Sequence, residues 1–199
     1  MPKRKDDIIL GFDPGTQVTG WGAVQKGRPL RMIEAGAIRP KRGEPLERRL
    51  KTIYDAALKL IDRHKPSVVV VEDPFVGKSV SSALALGQAR GILLLAGAQR
   101  ELPVVSYSPR EIKAAVAGRG SASKEQVQYM VKALLGLQKP PEPLDASDAL
   151  AVALCHASRG SEVKVKGAQE PADVARLVRN PKDLEAVQRW KSGKGRKAR

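Results

Sequence analysis

The sequence predicts an α/β protein with a mixed five-stranded sheet flanked by helices. Three observations lead there. Short β-prone runs crowd the start of the chain, too close together for anything but antiparallel neighbours. Further on, helical periodicities alternate with single strands, and helical crossovers put such strands parallel. The hydrophobic share of 42% supplies a core, while aromatics reach only 4%, so that core is aliphatic and alanine-rich.

Residues 8–13 (IILGFD) form the first strand, stopped by Pro14-Gly15. Residues 18–25 and about 30–38 read as two more, joined through Lys26-Gly27-Arg28-Pro29. From 45 to 65, Leu46, Leu50, Ile53, Ala57, Leu60 and Ile61 recur at helical spacing until Pro66. The β-branched run at 67–73 (SVVVVED) suits a central strand buried on both faces.

Residues 79–101 form a helix apolar nearly all round, carrying Gly87, Gly91 and Gly97. Such a helix needs cover on more than one side. The sheet is one cover. The other is a second copy of the chain or another layer of the same domain. PVVSYS is the fifth strand; helices near 109–117 and 123–136 follow, joined by GRGSAS. A proline-rich loop, Lys139 to Pro143, leads to a last helix at about 145–158.

The chain divides at Ser158. Residues 1–158 read as one domain. Residues 159–199 read as a flexible basic tail, with a weak helix near 182–190. From Arg159 on, twelve Lys/Arg stand against five Asp/Glu, a net +7, and the body keeps +8 of the total +15. An excess this large implies an anionic partner. With no basic amphipathic helix dominating the sequence to favour a membrane, nucleic acid is expected.

Cys155 is the only cysteine, which rules out an internal disulfide and fits a reducing compartment; its apolar setting predicts burial. The N-terminus carries no signal-peptide pattern, and the longest apolar run, Ile92 to Ala98, is too short for a bilayer. A cytoplasmic protein without a membrane partner is expected.

Four acids share one structural logic. Asp13 ends the first strand and Glu72 the fourth, so parallel placement brings them to one sheet edge, where open α/β sheets gather ligands. Asp145 and Asp148 open the last helix three residues apart, on one face. Two like charges about 4 Å apart repel by roughly 4 kcal/mol at an effective dielectric near 20. Protons or divalent cations relieve that, and all-oxygen donors suit Mg²⁺ or Mn²⁺. Two such ions can activate a water and stabilise the leaving oxygen of a phosphodiester. Plainer roles stay open: Asp145 as an N-cap, Asp148 at the helix dipole, Asp13 in an Asx-type turn, and Asp73 in place of Glu72.

The segments ILGFDPGTQVTGWG, VVVVEDPFVGKSVSSALALGQARG, YSPREIKAAVAGRGSASKEQVQYMVKALL and LDASDALAVALCHA resemble, in order over residues 8–158, the RuvC-type Holliday-junction resolvases. The resemblance implies an RNase H-like fold and a homodimer through the 79–101 helix. It also implies Mg²⁺-dependent nicking of four-way DNA junctions by two symmetric cuts, with two ions per subunit that Mn²⁺ can replace. It places catalytic, metal-binding acids at Asp13, Glu72, Asp145 and Asp148, and family lysines at Lys113 and Lys124.

Lys124 also follows a Gly/Ser-rich turn into a helix, a setting that favours phosphate. Arg119 would join that patch. Phe75 falls where the family carries an aromatic that works on bases. A RuvA–RuvB branch-migration partner is expected from the family. His64 and His156, with no ligand spacing, are taken as structural.

The competing readings are a catalytically silent junction-binding scaffold and a shorter RuvC-like group proposed to process ribosomal RNA precursors. GFDPGTQVTGWG also resembles the phosphate loop of actin-like sugar kinases, whose chains are far longer.

Overall fold

The computed structural model describes residues 7–73 and 80–159. Phe75 and the tail from 160 on, with its expected helix near 182–190, lie outside the described residues.

Five strands form one mixed sheet in the order β3-β2-β1-β4-β5. β1 (Ile8–Asp13) and β2 (Thr19–Gln25) pair antiparallel, as do β2 and β3 (Arg31–Ile38). β4 (Val68–Glu72) lies parallel to β1, and β5 (Val104–Tyr107) parallel to β4. The short turns and long crossovers of the sequence thus have their expected consequences.

The side-chain period of two splits the core. Leu10, Phe12, Val69 and Val71 face α1 (Leu46–His64) and α2 (Val80–Gln99), meeting Ile53, Ala57, Ile61, Leu93 and Ala96. Ile9, Val68 and Val70 face the other layer: α3 (Pro109–Ala117), α4 (Lys124–Leu135) and α5 (Leu144–Arg159). All four valines of β4 are buried, as a strand covered on both faces requires.

Local signals set the helix ends. α1 stops where Lys65 turns left-handed (φ 46°, ψ 55°) and its N–H bonds to the Ile61 carbonyl, with Pro66 next. α3 and α4 open on reciprocal capping boxes, Ser108 with Glu111 and Ser123 with Gln126; Pro109 stands at the first position of α3.

α5 is the central helix of its layer, and ten of its sixteen residues are buried. Glycines let it sit low on the sheet. A Cβ on Gly11 would meet the Ala149 carbonyl and Ala153, and one on Gly22 would meet Leu150.

α2 uses only one side. Ala89, Leu93, Ala96 and Gly97 are buried, while Val80, Leu84 and Leu95 are 74%, 65% and 56% exposed. No other layer of the described residues covers that outer stripe, and nothing lies within 4 Å of a Cβ built on Gly87 or Gly91. By length and mean hydropathy (1.3), α2 is long and apolar enough to cross a membrane. That corrects the expectation drawn from the seven-residue run alone. Its seat is on α1 and β4, and its Arg90 makes polar contacts with Asp73 and Ser106 at the sheet edge.

Cys155 is fully buried beside the Glu111 carbonyl, and burial pushes its thiol up to about 12. His64 is buried against Trp21, and His156 Nδ1 lies 3.0 Å from the Tyr107 hydroxyl; neither lines the carboxylate pocket described below.

Candidate active site

β1 and β4 end together at the carboxyl edge of the sheet, with Phe12 opposite Val71. The next residues, Asp13 and Glu72, emerge there as neighbours and share a side-chain hydrogen bond. Asp148, one turn into α5, joins them. The three acids line a pocket of about 220 Å³ whose other walls include Lys113, Lys124, Ile112 and Val127.

The electrostatics record the crowding. Burial pushes Asp13 up to about 8, helped by the charges of Glu72 and Asp148. Burial also raises Glu72, against the hydrogen bond from Asp13 and the cations of Lys124 and Lys113. Asp148 is raised by burial and opposed chiefly by Lys124, whose Nζ lies 3.5 Å from Asp148 Oδ2. In this state Asp13 and Glu72 hold a proton between them, because two buried carboxylates in contact cannot both ionise.

Asp145 stands apart from that pocket. α5 begins at Leu144, so Asp145 lies inside the first turn and is not the N-cap residue the sequence suggested. The helix crosses the sheet over Gly20 of β2, where a Cβ would collide with the Asp145 carbonyl. Asp145 therefore faces the β3 side, and its Oδ2 lies 3.4 Å from Arg39 Nη2. Asp148, nearly one turn on, reaches the β1–β4 side. The shared face holds, but the two carboxylates have different neighbours.

Asp73 pairs with Arg90 of α2 at 3.2 Å and does not line the pocket. Lys113 is half-buried in the pocket wall. Lys124 is the exposed first residue of α4. Arg119 lies outside the lining and donates to Gln126 Oε1 at 3.1 Å, bracing the α4 cap.

The donor set fits a hard divalent cation. Its acids are all oxygen donors, buried beyond what three negative charges tolerate, and a cation can take the place of the shared proton. Among the described residues no three Asp, Glu, His or Cys side chains close into a ready cage. Lys124 Nζ lies 3.5 Å from Asp148 and Arg39 Nη2 3.4 Å from Asp145. An open arrangement suits Mg²⁺, which keeps several of its waters.

A family model described as crossover junction endodeoxyribonuclease RuvC matches residues 9–156. The chain belongs to this family. The RuvC protein of Moorella thermoacetica is 52% identical over 152 residues, 76% of this chain and 91% of that one. The RuvC of Idiomarina loihiensis is 47% identical over 176 residues, 85% of this chain and 98% of that one. A solved structure of Thermus thermophilus RuvC in complex with a Holliday junction substrate superposes with a TM-score of 0.72 at 36% identity, covering 76% of this chain and 93% of that one. The yeast mitochondrial resolvase Ydc2, at 13% identity and a TM-score of 0.55, shares the fold. The sheet and helix layers are therefore the RNase H-like fold of the RuvC resolvases.

Two contacts near the site were not expected from the sequence, although Arg90 lies in the GQARG segment that carries the family resemblance. Arg39 meets Asp145 across 106 positions, and Arg90 ties α2 to Asp73 and to Ser106 of β5. Both contacts join distant elements, so no local pattern announces them.

Proposed function

We propose that this RuvC-family chain is a structure-selective endonuclease that resolves four-way DNA junctions by paired symmetric nicks, in recombination and repair. The observation that carries the reading is the Asp13–Glu72–Asp148 cluster, buried at the carboxyl sheet edge and walled by two lysines.

Asp13, Glu72 and Asp148, with Asp145 at the margin, would hold two Mg²⁺ per subunit, which Mn²⁺ can replace. When bound, such ions lower the pKa of an attacking water and stabilise the leaving oxygen of a phosphodiester. The chain's own residues do the rest. Asp13 and Glu72 give up their shared proton as the cations enter. Lys113 and Lys124 orient the phosphate and balance the charge that builds on its oxygens. The Gly118–Ser123 turn and Arg119 extend a basic rim beside them, and Phe75 stacks on or wedges between bases. The products are a 5′-phosphate and a 3′-hydroxyl.

Two symmetric cuts need two sites. The bare outer stripe of α2, with Gly87 and Gly91 open for close approach, supports a homodimer through this helix. A RuvA–RuvB branch-migration complex as partner and a cytoplasmic setting complete the reading.

The test uses a synthetic mobile four-way junction and a linear duplex, each with Mg²⁺ and with chelator. Paired nicks in the junction alone, dependent on metal, are expected. Tight junction binding without product would favour the silent scaffold, and RNA cleavage in preference to junction DNA would favour the RNA-processing reading.

A further inference from the structure

The acids have a basic wall on the α3–α4 side; a second one faces it from β3. β3 runs in the same direction as β1, two strands away, so the chain leaves β3 at the edge where Asp13 stands. The residues that follow are Arg39-Pro40-Lys41-Arg42. Pro40 is buried and anchors the segment, while Arg39, Lys41 and Arg42 are exposed. Among the described residues no acid forms an ion pair with Lys41 or Arg42. Arg49 of α1 donates to the Thr16 carbonyl at 3.3 Å, tying this side to the loop that follows Asp13.

Arg39 itself meets Asp145 at 3.4 Å, with side-chain exposures of 53% and 36%. Ion pairs this exposed add little to stability, so the contact is easily exchanged for another. A guanidinium is suited to phosphate oxygens, which it can engage through two parallel N–H donors. A strand whose phosphate reaches the acids has Lys113 and Lys124 on one side and Arg39 on the other.

We propose that Arg39 is a phosphate-binding residue for the junction strand being cut, parked on Asp145 in the DNA-free protein and transferred to the phosphate when DNA enters. Lys41 and Arg42 continue the same track outward along the β3–α1 loop. The inference rests on the nuclease reading above and adds a second wall to its DNA-binding surface.

The test is equilibrium binding of a synthetic four-way junction in chelator, where nothing is cut, by the full chain and its Arg39→Ala and Arg39→Lys variants. Each lost phosphate contact flattens the slope of log K against log salt by about 0.9, so Arg39→Ala should lose roughly 2 in a dimer. Its affinity should fall by roughly a hundredfold, the scale of two charge-assisted hydrogen bonds, one per subunit. Arg39→Lys should restore the slope.

Asp145→Asn frees the guanidinium and should tighten binding, a gain that shrinks in the Arg39→Ala/Asp145→Asn double variant. A merely structural arginine would lower the melting temperature and leave the slope unchanged. Equal slopes for the parent chain and Arg39→Ala overturn the proposal while the nuclease reading stands. Failure of the unmodified chain to bind junctions would overturn both, before any variant is compared.

Discussion

Gly20 of β2 lies against the main-chain carbonyl of Asp145, with no room between them for a Cβ. The contact sets how low α5 sits on the sheet, and with it where Asp145 and Asp148 stand. Gly20→Ala should lift the first turn of α5. Overpacking of this kind costs about 1–3 kcal/mol. Cleavage should fall more steeply than stability, because the acids move together. Thermal melting and junction cleavage measured side by side check this; normal cleavage in a folded Gly20→Ala would show that the contact does not position the acids.

Burial, with the charges of Glu72 and Asp148, pushes Asp13 up to about 8. The folded protein therefore holds a proton that the unfolded chain releases near the ordinary aspartate value of 3.8. Stability from this group falls as pH rises from about 4 to 8, because the native state binds more protons over that window. Asp13→Asn removes the penalty. It should abolish cutting, keep junction binding, and raise stability by a few kcal/mol (roughly) at pH 8 but little at pH 4. Denaturant melts at both pH values read the sign.

Mg²⁺ should act on the same free energy. Cations that replace the shared proton stabilise the native state by linkage. The rise in melting temperature with Mg²⁺ should be larger at pH 8 than at pH 5 and should vanish in Asp13→Asn. An equal rise in parent and variant would place the ion elsewhere.

Lys124 holds Asp148 at 3.5 Å and lowers the pKa of all three pocket acids. Lys124→Ala should slow cleavage by about 10²-fold, the scale for losing one preorganised electrostatic partner. At pH 9 it should also lower the Mg²⁺ concentration needed for half-maximal rate, since a competing cation is gone. A Mg²⁺ titration of the cleavage rate separates the two effects.

The outer stripe of α2 exposes Leu84 and Leu95. Replacing both with Glu should leave the melting temperature of the chain nearly unchanged when measured as a monomer. The dimer should dissociate, seen by light scattering, and paired cuts should give way to single nicks.

Much of this was legible without coordinates. Helical spacing marked α1, because side chains line one stripe on a helix, while continuous apolar runs marked β4 and α2. Strand ends told where Asp13 and Glu72 would emerge, since parallel neighbours finish at one edge. The sequence motifs alone pointed to the resolvase family.

Other features depended on pairs of elements far apart in the chain. Asp145 and Asp148 share a helix face, yet they part company because α5 crosses the sheet obliquely: one meets Arg39 beyond β2, the other Lys124 beyond β1. Glu72 ends β4 and Asp73 follows it, and the position of Arg90 on α2 gave Asp73 a partner. By itself the sequence determined the elements and the sheet edge that gathers the acids, because those follow from local backbone geometry and hydrophobic period. Only the tertiary structure decided which cation meets which carboxylate, because that depends on the angle and depth at which packed elements cross.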